Sequence, residues 1–425
     1  MDSKVELPSE AGRQTLADQL RAGTTTVWLG PIARARTNAP GITIHALDSA
    51  RARMQRFQPV LRHLFPESGW DGIIRSELLD YPVAPAGIDA LRIKADHALP
   101  VTGSIKARGG IYDLLCRIER IAIAEGLIGT DGDYSALVQE QAHTVLSRFR
   151  IVVASTGNLG YSIGLAARAF GLAAQVHMSH DAKRWKKDRL IALGVDVVEH
   201  PFDYSQTVEA AEAAARAAGD EFIDDTSSRD LMIGYALAGD EVIEQLAAAG
   251  VVPTPQRPLI VYLPCGVGGA PGGVTFALKE RLGAAVRCVF VEPVASPCMM
   301  VALAAGGMPV PVYAHGLSNE TIADGLAVPL ASELVLDTVG DRIDAVVALP
   351  DAAMLEWVAR AWREAGLRLE PSAAAALAAI APFVEAAPHL RDAVHVAWAT
   401  GGSLLPDEEF AALLRAADER VHHSS

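Results

Sequence analysis

The chain has 425 residues, half of them hydrophobic and 21% charged, which is typical of a globular protein with about two or three structural units. Its 37 Lys and Arg are outnumbered by 51 Asp and Glu, and the net charge of −14 disfavours general nucleic-acid binding, which requires a basic face. The sequence has neither a run of about 18 strongly apolar residues for a membrane span nor the apolar core of a secretory signal, so we expect a cytoplasmic protein.

Secondary structure is predicted from the hydrophobic pattern. Residues 1–70 show helical patterning with many charges and no chemical motif, and a strand is predicted within 86–95. From there, short apolar runs alternate with helical segments, the pattern of buried parallel strands joined by helices. The later strands are predicted at 150–154, 174–178, 195–199, 259–263, 286–291, 345–349 and 393–398.

This alternation falls into two series, which predicts two doubly wound α/β domains. We expect a larger domain at 1–105 and 240–425, including an N-terminal helical extension, and a smaller domain at 106–239. The Ala-rich run 372–384 predicts a buried helix, because it is too short for a membrane span and is interrupted by Pro382.

The first chemical motif is SIKARGG at 104–110, directly before a predicted helix. Lys106 at a helix start is electrostatically unfavourable, because the helix N-terminus favours anions. The same field, together with burial, lowers the pKa of an amine and prepares it to attack an aldehyde. Taken alone, the motif is also compatible with an ordinary solvated lysine.

The second motif is STGNLG at 155–160, between a predicted strand and a predicted helix. Short polar residues and glycines there expose hydroxyls and backbone N–H groups at the carboxyl edge of a parallel sheet, where ligands bind in open α/β folds. Such a loop suits a carboxylate. The alternative is an ordinary helix N-cap, for which Ser155 or Asn158 would suffice.

The third motif is CGVGGAPGG at 265–273, which has five glycines in nine positions after a predicted strand. Backbone amides and a helix dipole there predict a phosphate cradle, with a structural glycine loop as the alternative. No GK[ST] follows and the GxGxxG spacing is not kept, so a small phosphate monoester fits better than a nucleotide. If position 270 requires a positive φ, Ala270 adds strain.

The fourth motif is TGGS at 400–403, at the end of the predicted strand 393–398. The Thr400 hydroxyl can bond a heteroaromatic nitrogen, although a tight turn explains the motif equally well. Together the four motifs supply an amine, a carboxylate loop, a phosphate loop and a ring-nitrogen partner, which are the needs of a single cofactor.

These motifs resemble those of the tryptophan synthase β-like, fold type II, pyridoxal-phosphate enzymes, and within that group those of the D-serine dehydratase family. The resemblance implies an α/β fold of two doubly wound domains, with pyridoxal 5′-phosphate as the cofactor. It extends from residue 102 to residue 402 and is carried by TGSIKARGGIY, ASTGNLGYSIGLAAR, LPCGVGGAPGGV, VEPVASPCM, TIADGLAV, RLEPSA and WATGG.

The resemblance also implies roles for individual residues toward the cofactor. Lys106 would hold the cofactor as a Schiff base, Asn158 would contact its phenolic oxygen, and Thr400 would meet its pyridine nitrogen. Its phosphate would be bound by the backbone amides of Gly266, Val267, Gly268 and Gly269.

Further implied roles concern the substrate and a cation. Ser155, Thr156 and Gly157 would bind the substrate carboxylate. Lys106 is the first candidate for the base that removes the α-proton, and Thr156 the second. A monovalent cation such as K⁺ would bind at Glu292, although Cys298 stands where some relatives have an acidic ligand.

The activity implied is the β-elimination of D-serine to pyruvate and ammonia, with D-threonine to 2-oxobutanoate as a second reaction. We expect a small amino-acid substrate, no nucleic-acid or membrane partner, and a monomer or homodimer. The motifs leave open an L-serine/L-threonine dehydratase or another β-eliminating or β-replacing enzyme of this fold. They also leave open a non-catalytic binding protein, whereas the glycine spacing disfavours a nicotinamide dehydrogenase.

Overall fold

The computed structural model describes residues 10–30, 41–67, 69–129, 132–155, 157–180, 182–201 and 204–424. Their contacts divide them into two compact units. Unit 1 comprises the described residues of Met1–Pro40, Ser76–Ala98 and Ala238–Ser425, and unit 2 those of Gly41–Arg75 and Leu99–Leu237. Segment 41–75 therefore packs with unit 2, whereas the sequence placed it with the larger domain. The assignment of the cofactor-binding and carboxylate-binding roles to the predicted domains, 1–105 with 240–425 and 106–239, stays a prediction.

Helices and strands are numbered along the chain. The strands are β1 Thr26–Leu29, β2 Leu78–Asp80, β3 Leu91–Lys94, β4 Arg150–Ala154, β5 Ala173–Ser179, β6 Asp196–His200, β7 Glu221–Ile223, β8 Leu259–Pro264, β9 Val286–Pro293, β10 Ala345–Leu349 and β11 Val394–Trp398. The α-helices are α1 Glu10–Arg21, α2 Ile44–Leu64, α3 Lys106–Ala124, α4 Glu140–Leu146, α5 Asn158–Ala169, α6 Arg184–Ala192, α7 Tyr204–Ala218, α8 Arg229–Ala248, α9 Gly269–Leu282, α10 Cys298–Ala304, α11 Glu333–Val339, α12 Asp351–Ala365, α13 Pro371–Ala378, α14 Ile380–Ala386 and α15 Asp407–Ser424.

Unit 1 is built on a seven-stranded sheet with the order β1-β10-β9-β8-β11-β3-β2. Its five inner strands are parallel, while β1 and β2 pair antiparallel at the two edges. Every residue of β8 and β11 is buried, because strands covered on both faces consist of continuous apolar runs. The inner strands confirm the predicted pattern. The two edge strands, of four and three residues, were not predicted.

Unit 2 contains a four-stranded parallel sheet with the order β6-β5-β4-β7. Its three predicted strands are confirmed, and in β4 (RIVVA) every residue after Arg150 is buried. The strand β7 has only three residues, Glu221–Ile223, and was interpreted from the sequence as the start of a connection. The α/β class with parallel sheets is thus as predicted in both units.

Two local predictions are corrected by the structure. The run 372–384 is not one helix interrupted at Pro382: α13 ends at Ala378, and Pro382 lies in the first turn of α14, where its missing N–H has no intrahelical partner to lose. Ala270 lies inside α9, and the described non-glycine residues with positive φ are only Ala86, Val101 and Asn319, so the expected strain at position 270 is absent. No described helix is long and apolar enough to cross a membrane.

Candidate active site

In unit 1, the glycine-rich segment connects the end of β8 to the start of α9. Gly268 precedes the helix with φ of 108°, a conformation that favours glycine, and a Cβ added there would lie 2.8 Å from Met299 Cε. A Cβ on Gly266 would lie 3.0 Å from the carbonyl oxygen of Gly325. No side chain caps the first turn of α9. Its backbone N–H groups therefore line a cradle that side chains would fill, which fits a phosphate group.

Thr400 lies at the same edge of the sheet in unit 1. It follows β11, which pairs in parallel with β8, so the two strands bring Thr400 and the glycine-rich segment to neighbouring strand ends. Thr400 is buried, and the backbone N–H of Glu370 donates to Gly401 O at 3.2 Å. A Cβ on Gly402 would lie 2.3 Å from Arg368 O, so the TGG turn packs directly against another backbone segment.

A buried network of charged groups holds the ends of β3 and β11 together in unit 1. The Lys94 ammonium donates to Ser76 Oγ at 2.6 Å and also pairs with the Glu241 carboxylate. Ser76 Oγ donates to Asp96 Oδ1 at 2.6 Å, and the Trp398 indole N–H donates to Asp96 Oδ2 at 2.8 Å. Because Trp398 ends β11, this network fixes the strand end that leads to Thr400.

Glu292 lies on β9 and is fully buried beside the glycine-rich segment. Its two carboxylate oxygens accept the backbone N–H groups of Met299 at 2.7 Å and Met300 at 2.9 Å, yet burial raises the pKa of this carboxyl to about 8. The Cys298 thiol donates to Gly266 O at 3.3 Å. Among the described residues, no three His, Cys, Asp or Glu side chains form a group that could hold a metal ion. The cation stays a prediction.

In unit 2, Lys106 is the first residue of α3, as the sequence predicted for the lysine of SIKARGG. Its Nζ lies 5.5 Å from the ring centroid of Tyr235. A Cβ on Gly109 would come within 2.5 Å of that ring, which explains why glycine follows one turn later. The buried hydroxyls of Ser104 and Tyr235 have no hydrogen-bond partner among the described residues, so polar groups are available around this amine.

A carboxyl group that the sequence analysis missed also faces this region of unit 2. Burial raises the pKa of Asp225 to about 6, against the opposing effects of a hydrogen bond from Tyr204 and the charge of Lys106. Tyr204 Oη donates to Asp225 Oδ1 at 2.6 Å. Asp225 follows β7 by two residues, so recognising that short strand would have placed it at the carboxyl edge of the sheet.

The STGN segment of unit 2 connects β4 to α5. Ser155 Oγ accepts the backbone N–H groups of Gly157 at 3.1 Å and Gly160 at 2.9 Å, which uses both lone pairs and leaves the hydroxyl proton for another acceptor. Asn158 is the first residue of α5. Thr156, the second candidate base, lies outside the described residues.

The lysine segment and the STGN segment are brought together within unit 2. A Cβ on Gly110 of α3 would lie 2.9 Å from Leu159 Cδ1 of α5, so small residues allow the two helices to pack closely. Ser162 Oγ of α5 donates to the carbonyl oxygen of Asn158 and lies 2.9 Å from Thr102 Oγ1, four residues before Lys106. Lys106 and the proposed carboxylate loop thus belong to one packed region.

Lys186 of α6 is a second residue that the sequence analysis did not single out. Its ammonium lies against Gly157, since a Cβ on that glycine would be 2.7 Å from Lys186 Nζ. The signal was present in the sequence, because RWKK places two lysines at a helix start, as SIKARGG places Lys106.

Comparison with known proteins decides the family. The family model described as "pyridoxal-phosphate dependent enzyme" matches residues 70–401 of this chain. The chain belongs to the pyridoxal-phosphate-dependent enzyme family. The family resemblance drawn from the four motifs is therefore confirmed.

Individual members of the pyridoxal-phosphate-dependent family match nearly the whole chain. A protein of Acidovorax sp. (strain JS42) named probable D-serine dehydratase is 44% identical over 93% of this chain and 94% of its own length. A protein of the same name from Pseudomonas aeruginosa (strain UCBPP-PA14) is 43% identical over 91% and 92%. The crystal structure of diaminopropionate ammonia lyase from Escherichia coli in complex with D-serine has a TM-score of 0.74 at 19% identity, covering 94% of this chain and 98% of that one. This last match establishes the fold, which is fold type II.

The residues of each unit fit the cofactor of this pyridoxal-phosphate-dependent family. Unit 1 offers a backbone cradle for a phosphate and, one strand away, the hydroxyl of Thr400. Unit 2 offers the primary amine of Lys106, with two buried hydroxyls lacking described partners, and the side chain of Asn158 at a helix start. Each unit, taken by itself, therefore offers groups that suit polar parts of pyridoxal phosphate.

Proposed function

We propose that this protein is a pyridoxal-phosphate-dependent ammonia-lyase, a D-serine dehydratase, that converts D-serine to pyruvate and ammonia. Relatives named probable D-serine dehydratase align over more than nine-tenths of the chain, which supports the substrate. The observation that carries the chemistry is Lys106 beside Tyr235, at the start of the helix α3 that packs against α5, the helix that follows the STGN segment. D-threonine is proposed as a second substrate, giving 2-oxobutanoate, because it has the same β-hydroxyl.

The residues of unit 1 bind and orient the cofactor in this proposal. When bound, pyridoxal phosphate supplies an aldehyde carbon for the substrate amine and an electron-withdrawing ring that makes the α-proton acidic. Gly266, Val267, Gly268 and Gly269 hold the phosphate with backbone amides at the start of α9. Thr400 offers a neutral hydroxyl to the ring nitrogen, so no carboxylate holds a proton on that atom. This neutrality favours elimination over transamination.

The residues of unit 2 bind the substrate and move its protons. Ser155 donates its hydroxyl proton to the substrate carboxylate, Gly157 adds backbone contact, and Asn158 contacts the phenolic oxygen of the cofactor. Lys106 Nζ would hold the cofactor through its aldehyde carbon, as the lysine of a Schiff base, and is the first candidate for the base that takes the α-proton. Thr156 is the second candidate for that base. Loss of the α-proton and the β-hydroxyl removes one water, and hydrolysis of the released enamine gives pyruvate and ammonia.

The decisive experiment combines a spectrum with a turnover assay. The purified protein with added pyridoxal phosphate is expected to show visible absorbance that borohydride reduction fixes on Lys106. Pyruvate should form from D-serine and not from L-serine. Turnover of L-serine at an equal or higher rate would support the L-serine/L-threonine dehydratase instead. A folded protein that stays colourless with added cofactor would exclude the proposal.

A monovalent cation such as K⁺ at Glu292 is a separate proposal. It is supported by a fully buried carboxylate beside the segment proposed to bind phosphate, where a cation would offset the cost of burying a charge. Dialysed enzyme should gain activity when K⁺ replaces tetramethylammonium at equal ionic strength. Equal rates in the two salts would contradict it.

The physiological setting is proposed from the same reasoning. We expect a cytoplasmic enzyme whose partner is its small amino-acid substrate, with neither nucleic acid nor membrane involved, acting as a monomer or homodimer. Light scattering of the purified enzyme during gel filtration distinguishes the two oligomeric states, and a larger mass would contradict both.

A further inference from the structure

The segment of unit 2 that leads to Lys106 contains an unusual turn. The backbone N–H of Thr102 donates to Pro100 O at 2.9 Å, and Val101 between them has a φ of 74°. A hydrogen bond from residue i+2 to residue i across a positive φ is the pattern of the γ-turn that is rare and strained. This turn ends four residues before Lys106, the residue proposed to bind the cofactor.

The residue at the centre of this turn is sterically unsuited to it. The described non-glycine residues with a positive φ are Ala86, Val101 and Asn319. Asparagine tolerates this conformation comparatively well and alanine has only a methyl group, whereas a β-branched residue there is a genuine outlier. Glycine would adopt the same backbone conformation without steric strain. The surrounding structure must therefore hold Val101 in place.

Two contacts within unit 2 hold the turn. The backbone N–H of Val101 donates to the carboxylate oxygen Oε1 of Glu67 at 3.0 Å. Thr102 is fully buried, and its Oγ1 lies 2.9 Å from Ser162 Oγ. The turn is thus fixed through Glu67 to the segment that follows α2, and through Thr102 to α5, the helix that follows the STGN segment.

The position of this strain along the chain indicates its use. Strained backbone persists only where its surroundings determine it, and it is concentrated at active sites and ligand-binding segments. The chain continues from the turn through Gly103 and the buried Ser104 into α3, whose first residue is Lys106. A branched side chain leaves the backbone at position 101 few conformations, whereas glycine would allow many. Val101 therefore restricts the direction in which the chain enters α3.

We propose that Val101 and Glu67 are positioning residues, which keep the start of α3, and with it the Lys106 amine, in one orientation. The inference rests on the proposed function and extends it, because Lys106 is there both the covalent link to the cofactor and the first candidate base. A base must lie within hydrogen-bond reach of the proton that it removes, and a misplacement of about 1 Å can lower the rate by about 100-fold. Val101 and Glu67 act through Lys106 and not by contact with the substrate.

The first test compares Val101→Gly with Ala86→Gly in the cofactor-loaded enzyme. Both place glycine at a positive φ, 74° and 55°, and Ala86 is an exposed residue of unit 1 without a proposed role. Neither variant should have a lower midpoint of thermal unfolding, because relief of strain offsets the greater freedom of glycine in the unfolded chain. Val101→Gly alone should lower kcat for D-serine by about 10- to 100-fold, with KM changed by less than about 3-fold.

Hydrogen exchange of the cofactor-loaded enzyme without substrate tests the turn independently of turnover. The backbone N–H groups of Thr102 and Gly103 donate within the turn, and in Val101→Gly they should exchange about 10-fold faster after correction for intrinsic rates. Glu67→Ala removes the acceptor of the Val101 N–H and should have the same effects on exchange and kcat. Glu67→Gln keeps an acceptor oxygen and should behave as the wild type. If Val101→Gly does not fold, Glu67→Ala releases the turn with Val101 in place.

Three outcomes would overturn the positioning role. The first is an unchanged kcat in folded Val101→Gly and Glu67→Ala enzymes. The second is an equal loss of kcat in Ala86→Gly, which would be a general effect of an added glycine. The third is a lower kcat with unchanged exchange at Thr102 and Gly103, because the turn would then be intact. Failure of the wild-type enzyme to bind pyridoxal phosphate or to consume D-serine would instead overturn the proposed function.

Discussion

The glycine-rich segment of unit 1 and the STGN segment of unit 2 have the same position in their sheets but are constructed differently. Each follows a parallel strand and opens a helix, but no side chain caps the first turn of α9, whereas Ser155 Oγ accepts the N–H of Gly160 in the first turn of α5. Gly266 and Gly268 form the first loop from backbone packed closely against Gly325 and Met299. The second depends on a side chain, the Ser155 hydroxyl, which accepts the N–H groups of Gly157 and Gly160. Fixed amides suit a cofactor that stays bound, and side chains suit a substrate that enters and leaves with every turnover.

The largest expected effect tests whether unit 2 also binds the cofactor covalently. Lys106→Ala should lower D-serine turnover by at least about 1,000-fold, because it removes both the covalent link and the first candidate base. Borohydride reduction followed by mass spectrometry of peptides should no longer find a pyridoxyl group at this position. A pyridoxyl group trapped on a different lysine of the wild-type enzyme would show that Lys106 is not the residue that binds the cofactor covalently.

The next effect concerns the backbone loop of unit 1. Gly268→Val adds a Cβ 2.8 Å from Met299 Cε at a φ of 108°, so the dissociation constant for pyridoxal phosphate should rise by about 10- to 100-fold. Excess cofactor should restore much of the rate.

Gly283→Ala at the other end of α9 is the matched control for this effect. It also places a side chain at positive φ, 51°, but its Cβ meets nothing within 4 Å. This variant should lose about 1 kcal/mol of stability and keep its cofactor affinity. If the two variants lost the same amount of cofactor affinity, the effect of Gly268→Val would come from backbone strain near α9 and not from a side chain filling the cradle.

A smaller effect is expected in the loop of unit 2. Ser155→Ala leaves the N–H groups of Gly157 and Gly160 without their described acceptor, which should cost about 1–2 kcal/mol of stability. The KM for D-serine should also rise by about 10-fold, because one neutral hydrogen bond to the carboxylate is lost. Denaturant unfolding and steady-state kinetics measure the two effects. Loss of stability with an unchanged KM would show that Ser155 only caps the helix and does not bind the substrate carboxylate.

The smallest effect is a difference in acid sensitivity conferred by unit 2. Burial lowers the pKa of His177 from 6.5 to about 4, and the neighbouring His200 ring contributes to this shift as the second cause. Between these values the unfolded state binds one more proton than the native state, so the free energy of unfolding falls as the pH drops. His177→Gln should remove a slope of about 1.4 kcal/mol per pH unit over that interval. Parallel pH profiles of the two proteins would contradict the assignment.

The sequence predicted those parts of the fold and site that depend on continuous local patterns. The strands β8 to β11 were predicted because their apolar runs are buried on both faces, and the helix start at Lys106 because the motif precedes an amphipathic segment. The strands β1, β2 and β7 were missed because runs of three or four residues are too short to carry a periodic signal.

The missed site residues share a physical reason. Asp225 and Lys186 belong to segments that are distant in sequence from the four motifs, and packing within unit 2 brings them beside Lys106 and Gly157. Sequence spacing does not report such proximity. The prediction of strain at Ala270 was wrong for a local reason, because the residue already lies in α9 and has helical geometry.

The charged network around Lys94 limits how this protein can change over evolutionary time. Replacing Glu241 alone would remove the carboxylate that pairs with Lys94, a lysine side chain with no solvent exposure, and such a loss costs about 3–5 kcal/mol. Exchanging several members at once for apolar groups of similar volume would be far less damaging. These positions should therefore vary together or not at all in homologues, and redesign of the strand end before Thr400 should treat them as one unit.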